Sequence, residues 1–154
     1  MLIEYKEIID KELRLFGDKL PSLSIYEPIK YIINNGGKRF RSSLTLMATD
    51  LFSNQPRLVI NEAIAIELFH NFTLIHDDIM DAAPLRRGKA TVHKKWDTNT
   101  GILSGDAMLI IAYQYFENYE PVVFQKLAIL FGKTALEVCD GQQLDVDFET
   151  RNDV

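Results

Sequence analysis

Apolar residues recur at helical spacing along almost the whole chain, and glycine and proline are sparse and clustered, which leaves long uninterrupted segments. Ile8, Ile9, Leu13 and Phe16 predict a first helix over residues 2–16, with Gly17 as its stop and Pro21 opening a loop. A short helix over 26–34 carries Ile29, Ile32 and Ile33 and is broken by Gly36-Gly37. A third, over 39–52, offers Leu44, Met47, Ala48 and Leu51 as its apolar face. The fourth runs from Leu58 to Met80 and spaces Ile60, Ile64, Leu68, Phe72, Ile75 and Ile79 in steps of three and four. Pro84 limits it at the C-terminal end. Residues 82–100 read as a loop with a short helix at 91–96. A fifth helix covers 102–118, and a sixth starts at Pro121, a residue suited to a first helical turn, and runs towards 149. No segment alternates with period two, and there is no internal repeat or linker. The predicted class is all-α. The last helix reaches the end of the sequence without a glycine cap, and its apolar face requires partners.

Composition narrows the function classes. With 154 residues, 47% of them hydrophobic and 25% charged, the chain is ordinary globular protein, and residues 1–154 predict one domain. Lys plus Arg is 17 against 22 Asp plus Glu, a net charge of −5, which argues against a generally basic nucleic-acid binder. The single cysteine, Cys139, allows neither an intrachain disulfide nor a thiolate zinc site. Continuous apolar runs such as Met108–Ala112 are too short to span a bilayer, and the N-terminus carries no signal-peptide pattern. The expectation is a cytoplasmic protein without stable membrane insertion.

The candidate chemistry begins at His76-Asp77-Asp78-Ile79-Met80-Asp81. Asp77 and Asp81 are one helical turn apart, and three carboxylates at a helix C-terminus oppose the macrodipole and repel one another. A solvated acidic helix end is the plain alternative. A hard divalent cation is the natural remedy, and an oxygen-only donor set suits Mg²⁺, which keeps waters and shares a substrate phosphate. Arg86-Arg87-Gly88-Lys89 follows within a few residues. Surface salt bridges would explain it, but paired guanidinium groups also make forked hydrogen bonds to phosphate. Gly36-Gly37-Lys38-Arg39-Phe40-Arg41 is a second basic segment at a helix start, where free N–H groups attract anions; it lacks Walker A spacing. His70 lies seven residues before Asp77, with Thr73 between them, and could equally be a satisfied core histidine. Gln142 and Asp145, within Gly141-Gln142-Gln143-Leu144-Asp145, can point the same way from the last helix or simply face solvent. Together these describe a helical cavity for a diphosphate held through Mg²⁺. No Ser-His-Asp or Cys-His nucleophile pattern is visible.

In four motifs, Gly36–Arg41, His70 ahead of Leu74–Asp81, Arg86–Gly88 and Gly141–Asp145, in their order and spacing across residues 36–145, the sequence resembles the trans-isoprenyl diphosphate synthase (polyprenyl synthetase) family. The resemblance implies an antiparallel helical bundle around a central cavity, and condensation of isopentenyl diphosphate with an allylic diphosphate. It implies that Asp77 and Asp81 ligate Mg²⁺, with Asp78 in support, and that Arg86 contacts the allylic diphosphate. Lys38, Arg41, His70 and Arg87 would bind isopentenyl diphosphate, while Gln142 and Asp145 would line the allylic side. Mg²⁺ and the basic groups would stabilise the departing diphosphate as an allylic cation develops. The alkene would then attack, with the proton lost to the released diphosphate. Phe72, with Thr73, would limit chain length, giving farnesyl- or geranylgeranyl-type products. A homodimer is the family's usual form.

Two departures, Ser42 and Ala90 where the family usually has proline, are expected to affect loop stiffness more than chemistry. A larger one is that nothing after Asp145 can supply the family's second aspartate-rich motif. The chain therefore reads as an N-terminal part that does not catalyse alone. A non-catalytic partner subunit and a helical metal-dependent phosphohydrolase built on His76-Asp77 are the competing readings.

Overall fold

A computed structural model describes residues 2–150. The chain divides into two compact units, Met1–Tyr115 and Phe116–Val154. The first holds α1 (Leu2–Lys19), α2 (Tyr26–Asn34), α3 (Phe40–Ser53), a 3₁₀ turn (Pro56–Val59), α4 (Ile60–Met80), a hairpin of β1 (Leu85–Arg86) and β2 (Lys89–Ala90), α5 (Val92–Lys95) and α6 (Thr98–Gln114). The second holds α7 (Pro121–Thr150), which opens on its proline as predicted and carries exposed Val122, Leu130, Leu136 and Phe148. The all-α expectation holds.

α4 is the hub of the first unit and packs against α1, α2, α3, α5 and α6. Ile9 and Leu13 of α1, Ile29 and Ile33 of α2, Leu46 of α3, Ile64, Leu68 and Ile75 of α4 and Met108 of α6 form the core. Each such side chain contributes about 1.5–3 kcal/mol by leaving water. Because α4 has neighbours on several sides, its buried positions are not one stripe: Ala63, Glu67, Asn71 and Asp78 are buried as well. The stretch Pro56–Met80 is also long and apolar enough, by length and composition, to cross a membrane. Counting only unbroken apolar runs overlooks it, because scattered polar residues interrupt it. Here it is the central helix of a bundle.

Several predicted details change. Gly17 does not stop α1, which continues to Lys19; Gly17 is buried, and a Cβ there would lie 3.2 Å from Ile33 Cδ1, so the glycine lets α1 and α2 approach. The apolar face predicted for α3 largely looks outward, with Leu51 82% exposed, and Ser42, Ser43 and Leu46 are buried instead. α6 starts at Thr98 rather than 102, because Asp97 caps it: Oδ1 accepts from Thr100 N at 2.8 Å and Oδ2 from Thr100 Oγ1 at 2.8 Å. The backbone hydrogen bond from Thr100 leads the effects that hold the Asp97 carboxyl below its ordinary range. Glycines inside α6 mark its closest approach to α4. A Cβ on Gly101 would sit 2.9 Å from Ile79 Cδ1, and one on Gly105 would collide with the His76 ring.

The segment 82–100 is more ordered than a loop. Arg87 (φ 53) and Gly88 (φ 77) are the two central residues of a tight turn between β1 and β2, with Arg86 paired to Lys89. Two consecutive positive φ values are the signature of a type I′ hairpin turn. Tyr31 Oη donates to Ala90 O at 2.8 Å and Thr91 Oγ1 to Ala83 O at 2.7 Å, tying the hairpin to α2 and to the end of α4. The Lys95 ammonium lies 3.8 Å from the centre of the Tyr31 ring.

Candidate active site

Lys38, Arg41, His70 and Arg87, drawn from the α2–α3 loop, α3, α4 and the hairpin turn, line one cavity of about 440 Å³ together with Gly37 and Phe40. Among the described residues neither Lys38 nor Arg41 has an ion-pair partner, and both are exposed. Arg87 donates to Gly36 O, and its guanidinium lies against Gly37, where a Cβ would come within 2.8 Å of Nη1. Gly37 has φ 151, a conformation open essentially to glycine alone, so the pair of glycines seats Arg87 as well as turning the chain. Burial holds the His70 imidazole below its ordinary pKa; Arg41, Arg87 and Arg86 reinforce the shift and Glu67 opposes it. The cavity's unpaired charges are positive, and its one carboxylate, Glu67, is already paired with Arg39.

The middle cation of the same motif does the opposite. Arg39 is 3% exposed. Its Nε donates to Asp10 Oδ1 at 2.9 Å, Nη1 to Glu67 Oε1 at 2.8 Å and Nη2 to Ile33 O at 2.6 Å. Ser42 Oγ is 2.9 Å from Glu67 Oε2 and 3.1 Å from Arg39 O, close enough to donate to either. The Asp10 carboxyl lies below its usual range: burial pushes it up, but the hydrogen bonds from Lys6 and Arg39 outweigh that. Removing one member of such a buried pair costs about 3–5 kcal/mol, because the other is left unpaired. Neither Asp10 nor Glu67 stands out among the candidates drawn from the sequence. The available signal is an acidic residue, Glu67, in the apolar middle of the helix one turn before His70. Ser42 is therefore not only a matter of loop stiffness, since its hydroxyl meets this network.

The aspartates at the end of α4 separate by role. Asp78 is 2% exposed and grips Arg86: Nε donates to both carboxylate oxygens at 2.9 Å and Nη2 to Oδ1 at 2.8 Å. That hydrogen bonding raises the Arg86 pKa. Asp77 is half-buried and Asp81, the C-cap residue of α4, is exposed. Burial raises the Asp77 pKa; Arg86 works against this, and the charges of Asp81 and Asp78 add to it. Asp77, whose carboxyl resists ionisation, and Asp81 one turn on offer oxygen donors only, a set that fits a hard cation such as Mg²⁺. Among the described residues no group of three His, Cys, Asp or Glu side chains gathers to hold a metal, so water and phosphate oxygens would complete the shell. The phosphohydrolase reading gains no histidine cluster from it.

Phe72 is half-buried, with its ring 5.7 Å from Phe69 and 4.7 Å from the His76 ring; Thr73 Oγ1 is turned back onto His70 O at 2.9 Å. Gln142, half-buried, and Asp145, exposed, lie one turn apart on α7, in the second unit.

Known proteins match this chain in sequence and in fold. The polyprenyl synthetase family profile matches residues 23–154. A geranylgeranyl diphosphate synthase of Methanosarcina mazei is 42% identical over 132 residues, covering 84% of this chain and 41% of its own length. A short chain isoprenyl diphosphate synthase of Methanothermobacter thermautotrophicus is 33% identical over 155 residues, covering 100% of this chain and 48% of its own length. The crystal structure of a geranylgeranyl pyrophosphate synthase superposes with a TM-score of 0.95 at 55% identity, over 100% of this chain and 47% of that one. The chain belongs to the polyprenyl synthetase family. It spans about half the length of the curated relatives it matches.

Proposed function

We propose that the protein is a Mg²⁺-dependent prenyltransferase that condenses isopentenyl diphosphate with an allylic diphosphate to give short-chain, farnesyl- or geranylgeranyl-type products. The observation that carries this reading is the convergence of Lys38, Arg41, His70 and Arg87 on one cavity while Asp77 and Asp81 end the same helix that carries His70. The names of the relatives support it. Lys38, Arg41, His70 and Arg87 bind the isopentenyl diphosphate. Asp77 and Asp81 hold Mg²⁺, which when bound neutralises the departing diphosphate. Asp78 fixes Arg86 beside them, leaving the remaining donors of its guanidinium for the allylic diphosphate. Gln142 and Asp145 line the allylic side, and the Phe72 ring, braced by His76, limits chain growth with Thr73 beside it. By the same resemblance the enzyme acts as a cytoplasmic homodimer without stable membrane insertion.

The test is incorporation of labelled isopentenyl diphosphate by the complete enzyme, with geranyl or farnesyl diphosphate and Mg²⁺. Activity is expected to vanish with a chelator and to return with added Mg²⁺. Lys38→Ala with Arg41→Ala should raise the KM for isopentenyl diphosphate at least ~10-fold, the loss of about 1.4 kcal/mol of binding. Absence of any prenyl transfer with intact substrate would overturn the reading. Phe72→Ala is expected to lengthen the product, read by chromatography of the dephosphorylated alcohols. An unchanged profile would remove Phe72 from the floor.

A further inference from the structure

Three cations sit within four residues at the start of α3, and they meet opposite fates. Lys38 and Arg41 are exposed and unpaired among the described residues, whereas Arg39 is buried and each of its three guanidinium nitrogens donates a hydrogen bond. A residue that only added positive potential would be placed like its neighbours. Arg39 also stands at φ 50, a left-handed conformation that costs a non-glycine residue stability and persists only where the surroundings enforce it. What enforces it here is one planar fork bonded to three different helices: Asp10 on α1, Ile33 O on α2 and Glu67 on α4. Glu67 is one turn before His70 on α4, and its second oxygen meets Ser42 of α3. The backbone of α2, of α4 and of the α3 start is thus referred to one guanidinium, and these are the segments that deliver Gly37, Lys38, Arg41 and His70 to the cavity.

We propose that Arg39, held by Asp10 and Glu67, is a positioning residue for the diphosphate cavity: it sets the left-handed turn that aims Lys38 and Arg41 outward and fixes their distance from His70. This rests on the function proposed above for what the cavity takes, but not for its being an anion site. It gives a role to α1, since Asp10 lies outside the residues 23–154 that the family profile matches. It also gives one to Ser42, which shares the Glu67 carboxylate. Arg39 borders the cavity, but each nitrogen of its guanidinium already donates to Asp10, Glu67 or Ile33 O, so its effect passes through Lys38, Arg41 and His70.

The experiment compares Arg39→Lys, Glu67→Gln and Asp10→Asn in the complete enzyme. It reads inorganic pyrophosphate affinity by calorimetry, separate KM values for isopentenyl and allylic diphosphates, and thermal unfolding. Lysine keeps the charge but cannot make three directed bonds. Arg39→Lys and Glu67→Gln should therefore weaken pyrophosphate binding and raise the isopentenyl diphosphate KM roughly 10-fold, with Asp10→Asn smaller, while the allylic KM stays within about 2-fold. Because half-removing a buried pair is strongly destabilising, the double variant Arg39→Met/Glu67→Met removes both charges together. It should fold and still lose pyrophosphate affinity. Wild-type pyrophosphate affinity in the folded double variant, or both KM values moving equally, would overturn the proposal. If the enzyme transfers no prenyl group yet the variants lose pyrophosphate as expected, the reaction assigned above fails and the positioning role stands.

Discussion

His70 shows how one residue can be tuned by what surrounds it. Burial and the charges of Arg41, Arg87 and Arg86 hold its pKa below the ordinary histidine value, with only Glu67 opposing. In an unfolded chain the imidazole protonates near pH ~6.5. As pH falls through that value the unfolded state takes up a proton that the folded state resists, so this residue lowers stability on the acid side and contributes nothing well above it. An anion in the cavity reverses the preference, because a nearby negative charge favours the protonated ring. Binding of pyrophosphate at about pH 6.5 is therefore expected to draw a proton onto His70. Calorimetry in buffers of different ionisation enthalpy measures that uptake, and His70→Asn should take up fewer protons than the parent; equal uptake would show that His70 does not face the ligand. Lys38, Arg41, His70 and Arg87 stand out at this scale because basic groups cluster beside helix ends and loops, and the fold gathers these four around one cavity. What was not legible is which cation of Lys38-Arg39-Phe40-Arg41 is internal, since that depends on Asp10 and Glu67, 29 and 28 residues away.

Elements assemble the site where local signals are strongest or most easily misread. Helical periodicity located α2 without error and α4 to within its 3₁₀ lead, because long apolar spacing survives any tertiary context. The hairpin was read as a loop because each strand is only two residues long, too short for alternation to register. Its Arg87-Gly88 turn was nonetheless encoded, since a glycine at the second central position favours the I′ geometry. The two glycines of the facing loop are not equivalent. A Cβ on Gly36, at φ 73, meets nothing, whereas on Gly37, at φ 151, it would strike the Arg87 guanidinium. Gly36→Ala should therefore cost about 1 kcal/mol of backbone strain, and Gly37→Ala about 1–3 kcal/mol together with displacement of Arg87. Urea unfolding of the two variants measures the stability difference. Pyrophosphate titration should show weaker binding for Gly37→Ala only, and equal losses in both variants would mean that Arg87 is not seated there.

At the scale of the molecule, the cavity and the aspartates have different requirements. Lys38, Arg41, His70 and Arg87 belong to one compact unit, in which α4 packs against five helices. Their positive field needs no further residue to attract an anion. Condensation asks for more, because charge developing on the allylic carbon and on its departing diphosphate must be stabilised together in a site that excludes water. The 154 residues contain a single Asp-Asp-x-x-Asp motif, 77–81, and on the proposed reading its two carboxylates leave most of a six-oxygen shell to water and phosphate. Prepared as these 154 residues alone, the protein is therefore expected to bind inorganic pyrophosphate but not to condense isopentenyl diphosphate. Binding should weaken as salt rises from about 0.05 to 0.5 M, since the cavity cations are solvent-facing and screening acts over ~4–14 Å in that range. Lys38→Ala with Arg41→Ala should abolish it at every salt concentration. Mg²⁺ should leave the turnover at zero, because the obstacle is the stabilisation of the leaving group and not the capture of the phosphate. Steady condensation by this chain would show that Asp77, Asp81 and Arg86 suffice for departure of the diphosphate, and the role assigned by resemblance to a second aspartate-rich motif would have to be given up.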